Sequence, residues 1–165
     1  ALTDAGSVRA WGGYLLAANE TEMEALEEEA LRAAAEKGHG SHGLCVLPFF
    51  SGERSTGFRG DAKGTVHGLT LATTRVELLA ALMEALALRL KAVLQAVETV
   101  SGVHPTLVRA SGAGLQRSKL LQRLLADALD ATLILAPEGE EASARGAAAL
   151  AFLHFRSSTF EVLRN

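Results

Sequence analysis

The longest unbroken helical pattern in this 165-residue chain runs from Thr74 to Gly102. Thr74 and Glu77 stand at capping-box spacing, where a hydroxyl covers a free amide of the first turn and the carboxylate reaches back to the cap's own N–H. Val76, Leu79, Leu82, Met83, Leu86, Leu90, Val93, Leu94 and Val97 then sustain a helical period until Gly102 ends it. A helix this long and this apolar has to be covered, so the rest of the chain must supply layers that pack on it.

The flanking stretches offer such layers. Two helices open the chain, the first with Val8, Trp11 and Leu15 on one face, the second beginning at Thr21 and Glu24 with Met23, Leu26, Ala30 and Leu31 along one side. Glu27, Glu28 and Glu29 are expected to make the opposite side wet. Glycines and histidines from Gly38 to Gly43 break the pattern before Leu44 to Phe50, an apolar run suited to a buried strand, with Cys45 a buried structural thiol. A loop rich in glycine and charge fills Ser51 to Gly64, and Thr65 to Leu71 reads as strand or extended chain. Short strands follow at Thr106 to Ala110 and Thr132 to Leu135, with a glycine turn and an amphipathic helix, Lys119 to Leu129, between them. A last helix spans Glu141 to Phe155. This alternation predicts parallel strands with crossover helices, hence an α/β layer structure. The tail from Phe155 to Asn165 carries neither pattern and reads as frayed.

Bulk properties narrow the function classes. Sixteen basic and 19 acidic residues leave a net charge of -3 with no long run of either sign, so no electrostatic footprint for nucleic acid or anionic lipid is present. A single cysteine excludes an internal disulfide, and neither a signal peptide nor a membrane-spanning apolar stretch is recognisable. A cytoplasmic protein with a small-molecule or protein partner is the expectation.

Chemistry-bearing residues are few. Ser111, Gly112, Ala113 and Gly114 lie between a strand and a helix, where small side chains let backbone approach a ligand and free N–H groups favour phosphate or polar edges. Neither the dinucleotide fingerprint nor the Walker spacing is present, and a tight turn without ligand has the same wording. Gly146, Ala147, Ala148 and Ala149 follow Glu140 and Glu141 and suit close packing against a strand or the flat face of a base. Gly52, Glu53, Arg54, Arg59 and Asp61 put both charges beside glycines on the long loop, a set that could hold anionic groups or bridge domains, though solvated ion pairs are the commoner outcome. His39 and His42 have HxxH spacing but no rigid face or further ligand beside them, which argues against a metal.

Four stretches in order carry a resemblance: LPFFSGERSTGFRGDAKGTVHGLTLATTR (Leu47 to Arg75), the helix segment Ala80 to Arg89, RASGAGLQRSKLLQRLLADAL (Arg109 to Leu129) and EEASARGAAALA (Glu140 to Ala151). Together they resemble the C-terminal domain of the FGGY family of carbohydrate kinases, of the gluconokinase and xylulokinase kind. The likeness runs from about Leu2 to Ala151 and leaves 152–165 as a divergent tail. It implies part of an actin-like (ribonuclease H-like) ATPase domain, with ATP and sugar meeting in a cleft between two domains. It also implies transfer of the γ-phosphoryl group of ATP, with Mg²⁺, to a sugar hydroxyl. Carried over by position, Gly112, Ala113 and Gly114 contact adenosine and the phosphates, and Ser118 stands beside the adenine. Gly146 and Ala147 line the adenine pocket, Gly64 and Thr65 face the phosphates, and Arg54 and Asp61 belong to a loop approaching the cleft.

The same resemblance assigns no catalytic residue to this chain, because the aspartate base, the first phosphate hairpin and most sugar contacts belong to the family's N-terminal domain. The expectation is an ATP-binding portion of a sugar kinase, inactive as an isolated chain, that meets sugar only with that domain. Sheet edge and apolar surface that the rest of a kinase would cover imply a homo-oligomer. The other reading is a non-catalytic interaction or structural domain that keeps the fold without ATP. It draws on Ala113, which replaces the family's second glycine and whose methyl would crowd a nucleotide or exclude a positive φ. Thr56, Ala80 and Ala85 are further departures from the family pattern.

Overall fold

A computed structural model describes residues 5–17, 19–136 and 142–162; Leu2, Glu140, Glu141 and Asn165, named above, lie outside the described residues. The elements are α1 (Ala5–Leu16), α2 (Glu20–Lys37), β1 (Cys45–Leu47), β2 (Thr65–His67), α3 (Arg75–Ser101), β3 (Leu107–Ala110), α4 (Ala113–Arg117), α5 (Lys119–Leu129), β4 (Thr132–Leu135) and α6 (Ala142–Val162).

α3 is the central element, and both its ends are closed as the residues dictate. Thr74 Oγ1 accepts from the Glu77 amide at 3.2 Å, Glu77 Oε2 accepts from the Thr74 amide at 2.8 Å, and Gly102, with φ 69°, donates its N–H to Glu98 O at 2.8 Å. Between Leu79 and Ala87 the helix is buried almost all round, because α1, α2, α5 and β1 pack on it from several sides. Each of Leu79, Leu82 and Leu86, at 0–1% exposure, contributes about 1.5–3 kcal/mol of hydrophobic stabilisation. Farther along, the apolar stripe leaves the core, and Val97 is exposed.

Two helical expectations shift. The buried line of α1 is Val8, Gly12 and Leu16, at i, i+4 and i+8, whereas Trp11 and Leu15 are exposed. Gly12 is why: a β-carbon there would lie 3.5 Å from Leu82 Cδ1, so this face comes closest to α3. α2 starts two residues earlier than Thr21 suggests. Asn19, extended at φ -159° and ψ 175°, is the cap, its Oδ1 accepting from the Glu22 amide at 2.9 Å. Met23, Leu26 and Ala30 are buried as expected, but so is Glu27, at 3% exposure, which corrects its assignment to a wet face.

The strands form two separate pairs. β3 and β4 are parallel, Leu107 opposite Thr132 through Ala110 opposite Leu135, with α4 and α5 as the crossover. β1 and β2 instead pair antiparallel, Cys45 opposite His67. No helix intervenes between them to carry the chain back to the same end, so the loop delivers β2 in the reverse direction. Only three residues of the apolar run form β1, and they alternate: Val46 is buried against α3 while Cys45 and Leu47 face out. Cys45 is therefore an exposed thiol, not a buried one. α6 continues to Val162, beyond the Phe155 at which the pattern fades, since no proline or glycine after Gly146 interrupts it. Among the described residues no helix is long and apolar enough to cross a membrane.

Candidate nucleotide site

The glycine turn occupies the carboxyl end of β3, where open parallel sheets present ligand-binding crevices. Gly112 has φ 124° and ψ 136°, a backbone state that favours glycine, and it lets the chain reverse from strand into α4 within one residue. Ala113 is the first residue of α4 and its φ is not positive, so its methyl causes no backbone strain. α4 itself, which the residue pattern did not reveal, is only five residues long.

Several ties hold this turn. Gln116 Nε2 donates to Ala136 O at 2.9 Å, binding α4 to the end of β4, so both carboxyl ends of the parallel pair meet here. Gln122 Nε2, on α5, donates to Leu115 O at 2.8 Å, which also accepts the Ser118 amide, and to Gln116 O at 3.1 Å, closing the end of α4. At Gly114 a β-carbon would stand 2.9 Å from Gly6 Cα, so α1 and α4 touch backbone to backbone.

Ser118 is 0% exposed. It caps α5, its Oγ accepting from the Leu121 amide at 3.0 Å, and the hydroxyl donates to Glu27 Oε2 at 2.9 Å. Glu27 Oε1 receives Arg9 Nε at 2.8 Å, and Arg9 also reaches Glu20 Oε1 at 2.8 Å. Burial works against the Arg9 charge, but hydrogen bonds to Glu20 and Glu27 and their negative charge outweigh it and hold the guanidinium above its ordinary value. Neither Arg9 nor Glu27 carried a signal in the sequence beyond lying on helices. Beside Arg9 a hollow of about 330 Å³ opens, lined by Gly13, Tyr14, Asn19, Glu20 and Arg117 among others, at the lower edge of small-molecule pocket sizes.

The remaining site residues lie elsewhere. Gly64 precedes and Thr65 opens β2, with the Phe50 ring over Gly64 and Trp11 of α1 beside that ring at 4.4 Å between centroids. Gly146 and Ala147 are exposed on α6, and nothing lies within 4 Å of where a Gly146 β-carbon would be, so they are not brought against the β3 turn. α1 thus joins two of the predicted groups, meeting Gly114 through Gly6 and the Phe50–Gly64 pair through Trp11.

The long loop is anchored rather than free. Arg89 of α3 donates to Glu53 Oε1 at 2.5 Å and to the Ser55 carbonyl, and its guanidinium lies 5.0 Å from the centre of the Phe49 ring. Arg54 is exposed, and Arg59 holds exposed Asp61 at 3.3 Å, lowering the Asp61 carboxyl from its ordinary value. His42 accepts from the Leu44 amide through Nδ1 at 3.0 Å, which leaves Nε2 to donate to Glu84 Oε2 at 3.1 Å. His39 pairs with Asp127 at 3.1 Å. These histidines tie the loop after α2 to α3 and α5, and among the described residues no group of three metal-binding side chains forms.

Comparison with known proteins bears on this geometry. The family described as the FGGY family of carbohydrate kinases, C-terminal domain, matches residues 1–155. The glycerol kinase of Bacillus velezensis is 36% identical over 117 residues, covering 71% of this chain and 23% of that protein. The xylulose kinase of Rhodospirillum rubrum superposes with a TM-score of 0.64 at 30% identity, over 81% of this chain and 26% of that one. A Plasmodium falciparum glycerol kinase solved with ADP superposes with a TM-score of 0.68 at 22% identity, over 82% and 26%, a likeness of fold alone. The chain spans about a quarter of the length of these relatives.

Proposed function

Because this chain belongs to the FGGY family of carbohydrate kinases, matching its C-terminal domain in the actin-like fold, we propose that it is the nucleotide-binding portion of a kinase that transfers the γ-phosphoryl group of ATP to a sugar hydroxyl. The observation that carries this reading is the junction of Gly112–Gly114 with the end of β4 through Gln116, which gathers both carboxyl ends of the parallel pair at one edge. Backbone at Gly112, Ala113 and Gly114 would meet the nucleotide there, with Gly64 and Thr65 toward the phosphates and Gly146 and Ala147 toward the adenine. Ser118 would act from beneath by fixing the turn.

Phosphoryl transfer of this kind needs positioning, neutralisation of phosphate charge and a base for the accepting hydroxyl. Mg²⁺ would arrive with the ATP phosphates, since the described residues build no metal cluster of their own. The base and most sugar contacts would come from the rest of such a kinase, so the chain alone binds ATP without turning over sugar. Exposed Leu150, Phe152, Leu153 and Phe155 on α6 support self-association of the isolated chain.

Calorimetric titration with ATP and Mg²⁺ tests the proposal: binding at millimolar affinity or tighter is expected, and absence of heat overturns it. A coupled assay that registers robust sugar phosphorylation by this chain would overturn the inactivity. A second reading, an interaction domain that kept the fold without the nucleotide, is favoured by the Phe50 ring, which fills the space over Gly64. It expects no ATP heat at all.

A further inference from the structure

We propose that Glu27 is a positioning residue for the Gly112–Gly114 turn: one buried carboxylate on α2 sets the spacing between α1 and the α4–α5 junction. The inference rests on reading that turn as part of the nucleotide site, and deepens it.

A carboxylate at 3% exposure is unfavourable unless paired and hydrogen-bonded. Glu27 spends its two oxygens on two different elements. Oε1 takes Arg9 of α1, 18 residues away, and Oε2 takes Ser118, 91 residues away, at the hinge between α4 and α5. Arg9 lies three residues beyond Gly6 on α1, and Ser118 four beyond Gly114. Gly6 and Gly114 are the pair whose backbones touch, so the bridge spans the same two elements within about one helical turn of their contact.

Apolar packing alone would not fix that relation, because hydrophobic contact is non-directional and two helices meeting through glycines can slide. Hydrogen bonds at 2.8 and 2.9 Å to one rigid carboxylate are directional and remove that freedom. Nor is stability a sufficient reason for the set, since buried ion pairs are often replaced by apolar residues at little cost. What the charged set adds is geometry. Gln122 and Gln116 fasten α4 to α5 and β4, and Glu27 fixes that assembly relative to α1.

The test compares ATP–Mg²⁺ titrations of the wild type, Ser118→Ala, Ser118→Thr, Glu27→Asp and the apolar triple variant Arg9→Met/Glu27→Leu/Ser118→Ala, each checked for folding by circular dichroism. The triple variant and Glu27→Asp, whose side chain is one methylene too short for both partners, should bind about tenfold more weakly while remaining folded. Ser118→Thr, which keeps the hydroxyl that meets Glu27, should bind more tightly than Ser118→Ala. A folded triple variant with wild-type affinity would overturn the proposal. If the triple variant does not fold, Ser118→Ala, lacking one hydroxyl, decides in its place. If the wild type itself gives no heat, the nucleotide reading fails and hydrogen exchange at residues 112–117 decides the positioning. Faster exchange in Ser118→Ala than in Ser118→Thr supports it, and equal exchange sinks it.

Discussion

The ring of Phe50 lies across Gly64 so closely that a β-carbon at Gly64 would stand 2.4 Å from it. Trp11, the chain's only tryptophan, flanks the same ring with its plane tilted by 36°. Gly64→Ala must therefore push Phe50 aside, with an overpacking cost of about 1–3 kcal/mol. The denaturation midpoint should fall accordingly and Trp11 emission should shift in the folded protein. A variant with unchanged emission would mean that the ring is not seated on Gly64.

Asn19, not Thr21, caps α2. Asn19→Ala should cost about 1 kcal/mol, while Thr21→Ala, inside the first turn and exposed, should stay within about 0.5 kcal/mol. Urea unfolding of the two variants side by side checks the order, and a larger loss at Thr21 would reverse the assignment.

Glu77 closes the capping box at the start of α3. Hydrogen bonds from the Thr74 amide and hydroxyl hold its carboxyl below the ordinary value of 4.5. A carboxyl with a lowered folded value adds stability fully present above its unfolded value, and loses it as pH falls through the folded one. Wild type should therefore exceed Glu77→Gln in thermal stability at neutral pH, and the gap should close as pH drops below about 4. A gap that stays constant to acid pH would place the carboxyl's contribution elsewhere.

Cys45 stands on the outward face of β1. A thiol reagent should modify the folded protein at once and stoichiometrically, without denaturant. Labelling that begins only on unfolding would return Cys45 to the interior.

Much of the scaffold was legible from local chemistry. α5 and β4 begin and end where their residues predicted, and α3 lies between the expected caps. Those boundaries follow from capping, periodicity and glycine stops, which act within a few residues. The direction of the β1–β2 pairing was less legible, because three-residue strands carry little pattern and the intervening loop decides their sense. At the site, Ser111 and Gly112 fell between strand and helix as expected, while Ala113 and Gly114 belong to the first turn of α4. Gly146 and Ala147 were not joined to it, and the resemblance alone could not say how α6 would lie.

Residue order alone indicated every helix but the short α4, the tight turn at Gly112, and the kinase family that the pattern resembles. Only the folded chain decided that Glu27 turns inward to Arg9 and Ser118, and that Phe50 lies on Gly64. Whether a carboxylate on a polar helix face meets water or a partner depends on groups 18 and 91 residues distant, and no local window of sequence contains both.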